Sequence, residues 1–482
     1  MSAGRASLRR GLATCLLATA VALGGAGCST TLLSPEDESR IGREQHPRII
    51  EEFGGAYPDR SLQAYVAGIG AVLAAGSGWS GGPLTFTVLN SPTVNAFALP
   101  GGYVYVTRGL LALADSEAEL AGVIGHEIGH VVARHGAQQH GRSVIVGLGS
   151  AILGAAIGDR AAEGLMTLGV PILRRYSREQ EFEADQLGLG YMTRAGYHPE
   201  AMATFLGRLR DKSLLEAELM GTAADPDENS LAATHPRTVD RVHEARATAL
   251  GGGPARGRIE RDAYLRRLDG MLYGDSPEQG LVRGQRFVHP ALGFEFTVPP
   301  GFVLANSQGA VIARAPAGAL ILFDTTPAGT WASMLDYVRG QWGAALPLAD
   351  LTSLVIGGME AATGAARIAT AREPFDLRLL ALRGDGGRIH RFLFATPAQD
   401  TAMLTESLQR TGFSFRRLSA SEAAAERPYR LRISEARPGD TVAALAQRMP
   451  EGPRREARFR VLNGLAPGQE PAPGRLLKHI GF

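Results

Sequence analysis

The segment His126-Glu127-Ile128-Gly129-His130 constrains this chain more than any other feature of its sequence. An α-helix turns once in about 3.6 residues, so the two imidazoles stand one above the other on one face. Rings so placed can grip one metal ion at about 2.0–2.1 Å from each nitrogen. Glu127, beside the first ring, can then reach a water next to the ion instead of the ion itself. The flanking residues read as a rigid helix. Ser116 and Glu119 have the capping-box spacing, and Leu120, Ile124, Ile128 and Val131 form a stripe to bury. Such five-residue patterns also occur on exposed helices as solvated His and Glu, so a third ligand decides the matter.

A catalytic zinc takes three protein ligands and keeps one open position. The cysteines are Cys15 and Cys28, both close to the start, which leaves His and carboxylate to hold a metal. Downstream, Ser177 with Gln180 opens a helix that carries Glu181-Phe182-Glu183-Ala184-Asp185. Glu181 and Asp185 are one turn apart. Glu181 is the expected third ligand, and Asp185 the expected acceptor for the far nitrogen of His126. The plainer reading of both is an acidic helix start near its positive end. Glu183 is expected to face solvent, and His135, five residues past His130, to be polar surface.

With Asn90-Ser91-Pro92, the run Asn95 to Gly102, His126 to His130, Ser177-Arg178, and Glu181 with Ala184-Asp185, the chain resembles the M48 family of zinc peptidases over about Ile41 to Ala249. It resembles especially the periplasmic, lipoprotein-like bacterial branch. The resemblance implies a mainly α, zincin-type (gluzincin) domain with a small β-sheet. It implies one Zn²⁺ per chain and cleavage of misfolded or misassembled cell-envelope proteins, with Glu127 as general base. It also places a second oxyanion donor at His235-Pro236, followed by Arg241. His235 either donates to the oxyanion or swings onto zinc and closes the site; the plainer reading is a helix start, with Arg241 pairing an acid. Asn95, Ala96, Phe97 and Ala98, just before Pro100-Gly101-Gly102, form the natural sheet edge for an extended peptide substrate, or a structural hairpin. A competing reading is an envelope assembly factor, a chaperone-like lipoprotein with a latent peptidase site. No helical period of about 34 residues is visible.

The first 27 residues read as an export signal: Arg5, Arg9 and Arg10 precede an apolar run from Leu12 to Leu23. Gly25-Ala26-Gly27-Cys28-Ser29 resembles a lipobox, with Gly25 where an aliphatic residue is usual. Cys28 is thus the expected lipidation site and mature amino terminus, on the periplasmic side of the envelope and at the outer membrane more than the inner. An ordinary cleaved signal is the alternative. These arginines exceed the whole formal charge of +2, so the body is nearly neutral and nucleic acid is not an expected partner. Val144 to Ile157 is apolar but falls short of the about 20 residues a membrane span needs, so it reads as a buried, movable or surface-lying helix.

The expected organisation is therefore multidomain: a peptidase domain over 34–255, an α+β domain of unknown role over 284–418, and a small βααβ-like module over 428–482. In the second, Phe287 to Pro290 and Phe294 to Pro300, with a turn between them, and Val311 to Arg314, Ala319 to Phe323, Leu377 to Leu382 and His390 to Phe394 read as strands. Trp331 to Trp342 and Ala402 to Arg410 read as helices. The last module resembles a LysM fold through Gly439-Asp440-Thr441-Val442, Val461 to Leu465 and Leu476 to Ile480. It is either a peptidoglycan contact or a packing unit.

Overall fold

The protein, seen in a computed structural model, is described over residues 33–140, 176–220 and 256–482, apart from 308, 316–317 and 370–372. Cys28, the apolar stretch 144–157, His235 and Arg241 lie outside these residues. A helical N-terminal region is followed by a large sheet-rich C-terminal region.

Helix α1 (Pro35–Glu52) starts where Ser34 accepts from the Asp37 N–H, with Pro35 in the first turn and three acids after it. Asp59 caps α2 (Arg60–Ala75) in the same way, and Leu62, Val66, Ile69 and Leu73 form its buried face. Strands β1 (Thr85–Leu89), β2 (Ala96–Leu99) and β3 (Tyr103–Thr107) make a sheet in the order β1-β3-β2. The central β3 runs parallel to β1 and antiparallel to β2, which leaves β2 on the edge. The β2–β3 turn needs glycine: Gly101 has φ +83°, and a Cβ there would lie 2.8 Å from the Glu38 carbonyl oxygen of α1.

After α3 (Arg108–Leu113) come α4 (Glu117–Val132), α5 (His135–His140), α6 (Arg178–Arg194), α7 (Glu200–Met220) and α8 (Arg261–Leu268). Helices α4 and α6 cross at unusually short range because small residues meet. A Cβ on Gly129 would sit 2.9 Å from the Ala184 carbonyl oxygen, and one on Gly188 would sit 2.7 Å from the His126 nitrogen. Glycine inside a helix costs about 0.5–1 kcal/mol against alanine, so α4 gives up intrinsic helix stability for this contact.

The sheet-rich region holds a seven-stranded antiparallel sheet. Its order is β10 (Ala349–Ile356), β11 (Met359–Ala369), β12 (Pro374–Gly384), β13 (Arg388–Pro397), β9 (Leu320–Pro327), β8 (Val311–Arg314) and β7 (Val303–Asn306). One face packs on Phe287, Phe294 and Phe296 from a smaller sheet that includes β4 (Leu281–Arg283), β5 (Arg286–His289) and β6 (Phe294–Thr297). The other face is covered by α9 (Met334–Tyr337) with Trp331 and Trp342. The single helix expected over Trp331 to Trp342 is shorter: α9 passes into a wider, π-type turn over Val338–Trp342. Strand β11 carries no strong pattern in the sequence, because Ala and Gly fill positions where branched residues usually advertise a strand. A cleft of about 670 Å³ opens between the large sheet and α10 (Thr401–Phe413), near Leu354, Leu380, Phe394 and Phe413. Among its lining residues are Asp350, Asp376, Arg367 and Arg378, and no imidazole or thiol.

The chain ends in strand–helix–helix–strand order: β14 (Arg430–Glu435), α11 (Val442–Ala446), α12 (Arg455–Asn463) and β15 (Leu476–Gly481), with the strands antiparallel. Its apolar residues Leu431, Phe459, Leu462 and Leu477 belong to one core with Val66, Leu111, Leu120 and Phe205 of the helical region. Lys478, fully buried, donates to the carbonyls of Ala112, Leu113 and Ala114 at 2.9–3.1 Å, where α3 ends. Burial pushes its ammonium down to about 8. Asp115 lies 3.5 Å from that ammonium and is also paired with Arg208 and Arg261.

Candidate metal centre

Ser116 caps α4 by accepting from the Glu119 N–H. Glu119 does not reach back to Ser116 as the sequence pattern suggests. Its carboxylate takes the Asp115 N–H at 2.7 Å and the Arg208 guanidinium at 3.0 Å instead. The cap of α6 is the full reciprocal box between Ser177 and Gln180. With both helix starts fixed and the glycine-mediated crossing between them, the faces of α4 and α6 that carry His126, His130, Glu181 and Asp185 meet.

The meeting is close. His126 Nε2 and His130 Nε2 are 3.0 Å apart, and the Glu181 carboxylate lies 3.6 Å from the first and 3.5 Å from the second. Donor atoms of the three residues fall within 4.8 Å of one another, and all three residues are buried. His126 Nδ1 is 2.8 Å from Asp185 Oδ1. An ionised carboxylate only accepts, so the proton of His126 sits on Nδ1 and its Nε2 presents a lone pair to the cluster. With His130 Nε2 also turned as a lone pair to this point, the two nitrogens and the carboxylate, packed out of water, would repel one another unless a cation sat among them. Imidazole nitrogen and carboxylate oxygen are also the donors that zinc accepts, so this donor set fits the ion. Glu127, only 1% exposed, is on the same helix turn as His126.

His135 and Glu183 depart from expectation. His135 is 1% exposed, with Nδ1 2.9 Å from His130 Nδ1 and Nε2 3.2 Å from the Glu183 carboxylate. On a continued helix, five residues would carry it well around from His130. Instead α4 stops at Val132, Arg134 takes a left-handed φ of +56°, and the new helix folds His135 back against His130. Burial lowers the affinity of His135 for a second proton, with Glu183 opposing the shift. Glu183 is largely solvent-exposed, as expected, but it is not idle there. The sequence also gave no reason to single out Tyr176. Its ring stacks on His130 with centroids 3.8 Å apart, and burial, reinforced by Glu127 and Glu181, pushes its phenol up.

The edge strand β2 packs beside α4. Asn95 is buried, its N–H held by Thr107 Oγ1 at 3.0 Å and its carbonyl by the Thr107 N–H. Phe97 is wedged between Phe53 and Tyr105. The backbone of Asn95 and the ring of Phe97 thus fix the strand, Ala96 is buried with them, and Ala98 is half-buried.

Residues 60–249 match the model of Peptidase family M48. The chain is 31% identical to the beta-barrel assembly-enhancing protease of Escherichia coli (strain K12) over 229 residues, 45% of each protein. It is 32% identical to the mitochondrial metalloendopeptidase OMA1 of Schizosaccharomyces pombe over 222 residues, 44% of this chain and 61% of that one. Against the OMA1 of Arabidopsis thaliana the identity is 42% over 124 residues, a quarter of each chain. The matches therefore span between a quarter and about three fifths of these relatives. The paired imidazoles and the carboxylate that joins them from a second helix lie within residues 60–249, so the stretch that is similar to Peptidase family M48 is also the one that carries a donor set able to hold a metal ion.

Proposed function

We propose that this protein is a zinc-dependent endopeptidase of the bacterial cell envelope that hydrolyses misfolded or misassembled envelope proteins. The observation that carries the reading is the convergence of His126, His130 and Glu181 around one point, with Glu127 on the same helix turn. When bound, one Zn²⁺ supplies Lewis acidity, which eases ionisation of a water and polarises a carbonyl. Glu127, held in a dry helix interior, takes the proton of the attacking water and returns it to the departing amine. Asp185 holds the ring of His126 in place through Nδ1. The edge β2 offers its backbone to an extended peptide, a docking mode that reads main chain and so favours broad specificity. His235 and Arg241 are assigned to the oxyanion on the strength of the family resemblance.

The envelope reading draws support from the beta-barrel assembly-enhancing proteases among the relatives and from the leader sequence with Cys28 as lipid anchor. No helix among the described residues is long and apolar enough to cross a membrane. Residues 34–255 would form the gluzincin-type unit, 284–418 an α+β domain, and 428–482 a LysM-like module able to meet peptidoglycan.

The test is Glu127→Gln. The purified, zinc-loaded variant should lose casein cleavage by about 10²–10⁴-fold while keeping its metal. Cleavage equal to wild type would sink the proposal.

A further inference from the structure

We propose that Glu183, His135 and His130 form a carboxylate–imidazole–imidazole chain in which His135 is a positioning residue, fixing the tautomer and ring orientation of the metal ligand His130. This rests on the metallopeptidase reading and extends it to a residue outside the ligand set.

Proton accounting carries the argument. Two ring nitrogens 2.9 Å apart share a hydrogen bond only if one holds a proton and the other a lone pair. Suppose His130 donates from Nδ1. Its Nε2 is then a lone pair facing His126 Nε2 and Glu181, as a ligand requires. His135 accepts at Nδ1, carries its proton on Nε2 and donates it to Glu183 at 3.2 Å. Both nitrogens of His135 are then matched. Suppose instead that His135 donates from Nδ1. His135 Nε2 then turns a lone pair toward the Glu183 carboxylate, and His130 carries a proton on Nε2, aimed into the cluster of donors. The Glu183 end of that arrangement repels, and at the other end the proton occupies the lone pair that a metal ligand needs. Glu183 is therefore the group that selects the ligand tautomer of His130, acting across the ring of His135.

The backbone supports the same assignment. Arg134 holds a left-handed φ of +56°, which a residue with a side chain adopts at a cost of order 1–2 kcal/mol. Its guanidinium is tied down by Glu38 at 2.6 Å and by the Leu33 carbonyl at 2.7 Å. That anchoring holds the reversal between α4 and α5, and the reversal is what lays His135 against His130. With Asp185 on His126, each ligand imidazole then has its own carboxylate, one direct and one relayed.

The experiment measures Zn²⁺ affinity by chelator competition, and the visible spectrum of the Co²⁺-substituted full chain, for wild type, His135→Phe, His135→Asn and Glu183→Gln. Phenylalanine fills the space but offers no acceptor. Asparagine places an acceptor oxygen near the position of Nδ1. The expected result is a loss of about 10–100-fold in affinity with a shifted Co²⁺ band for His135→Phe, recovery of both in His135→Asn, and a smaller loss for exposed Glu183→Gln. Wild-type affinity in folded His135→Phe overturns the proposal, as does an equal loss in the Phe and Asn variants, which marks a packing role. If His135→Phe does not fold, unchanged affinity and spectrum in Glu183→Gln overturn it alone. A wild-type chain that binds no metal takes the metallopeptidase reading down with it; one that binds metal regardless of His135 refutes only this chain of contacts.

Discussion

At the residue scale the centre is governed by where protons and lone pairs sit. His126 needs an acceptor on Nδ1 so that its Nε2 stays free for a metal, and Asp185 supplies it at 2.8 Å. Asp185→Asn keeps the shape but weakens the acceptor, so Zn²⁺ affinity should fall about 10–100-fold with little change in melting of the metal-free protein. Chelator competition beside thermal melts checks this; a loss of fold that accounts for the whole effect would contradict it. His126, Glu127 and His130 on one helix, and Glu181 and Asp185 on another, were legible because helical spacing sets each group on its own helix. His135 was not. Its position depends on the left-handed backbone at Arg134, and nothing in the letters marks a non-glycine residue for that conformation.

At the element scale the decisive contact is the crossing of α4 and α6. Gly125 and Gly129 on one helix meet Ala184 and Gly188 on the other, and the carboxylates of α6 reach the imidazoles of α4 because those backbones touch. Gly188→Ala puts a Cβ 2.7 Å from the His126 nitrogen, an atom that cannot swing away. Overpacking of this kind costs about 1–3 kcal/mol, more than the about 1 kcal/mol that alanine gains in helix propensity. The variant should lose stability by denaturant titration and bind metal more weakly, because the helices are forced apart. A stabilised variant with wild-type affinity would show that the crossing has slack. The amphipathic stripe on α4 was readable beforehand. The glycines were visible too, but a glycine in a sequence does not say which backbone will approach it.

At the scale of the whole molecule, the terminal βααβ unit and the helical region share one hydrophobic core, with Lys478 buried at the seam. Lys478→Met leaves three carbonyls and Asp115 short of a buried partner. It should destabilise the protein by about 3–5 kcal/mol, read from thermal or denaturant unfolding of the full chain. A neutral effect would mean that the seam contributes no stability. The sheet-rich region has a separate liability. His289 and His390 are buried in it, and desolvation lowers both from an ordinary 6.5 to about 4. The folded state thus binds fewer protons than the unfolded one between about pH 6.5 and pH 4. Stability is complete above that window and falls as pH drops through it, by about 3 kcal/mol at most for each histidine. Replacing His390 with Gln should flatten the pH dependence of unfolding; a slope equal to wild type would count against it.

Periodicity and spacing determined, without any structure, that a helix carries His126, Glu127 and His130, that a second helix carries Glu181 and Asp185, and that the chain ends in a small βααβ unit. Those statements are local, because hydrogen-bonded backbone repeats on a scale of a few residues. Only the tertiary structure decided that the two helices touch, that His135 turns inward, that the Ala-rich segment Met359–Ala369 becomes strand β11, and that the terminal unit has no core of its own. These depend on contacts between residues far apart in sequence, where the identity of the partner sets the outcome. A glycine, an alanine or a lysine acquires its meaning from what lies across from it.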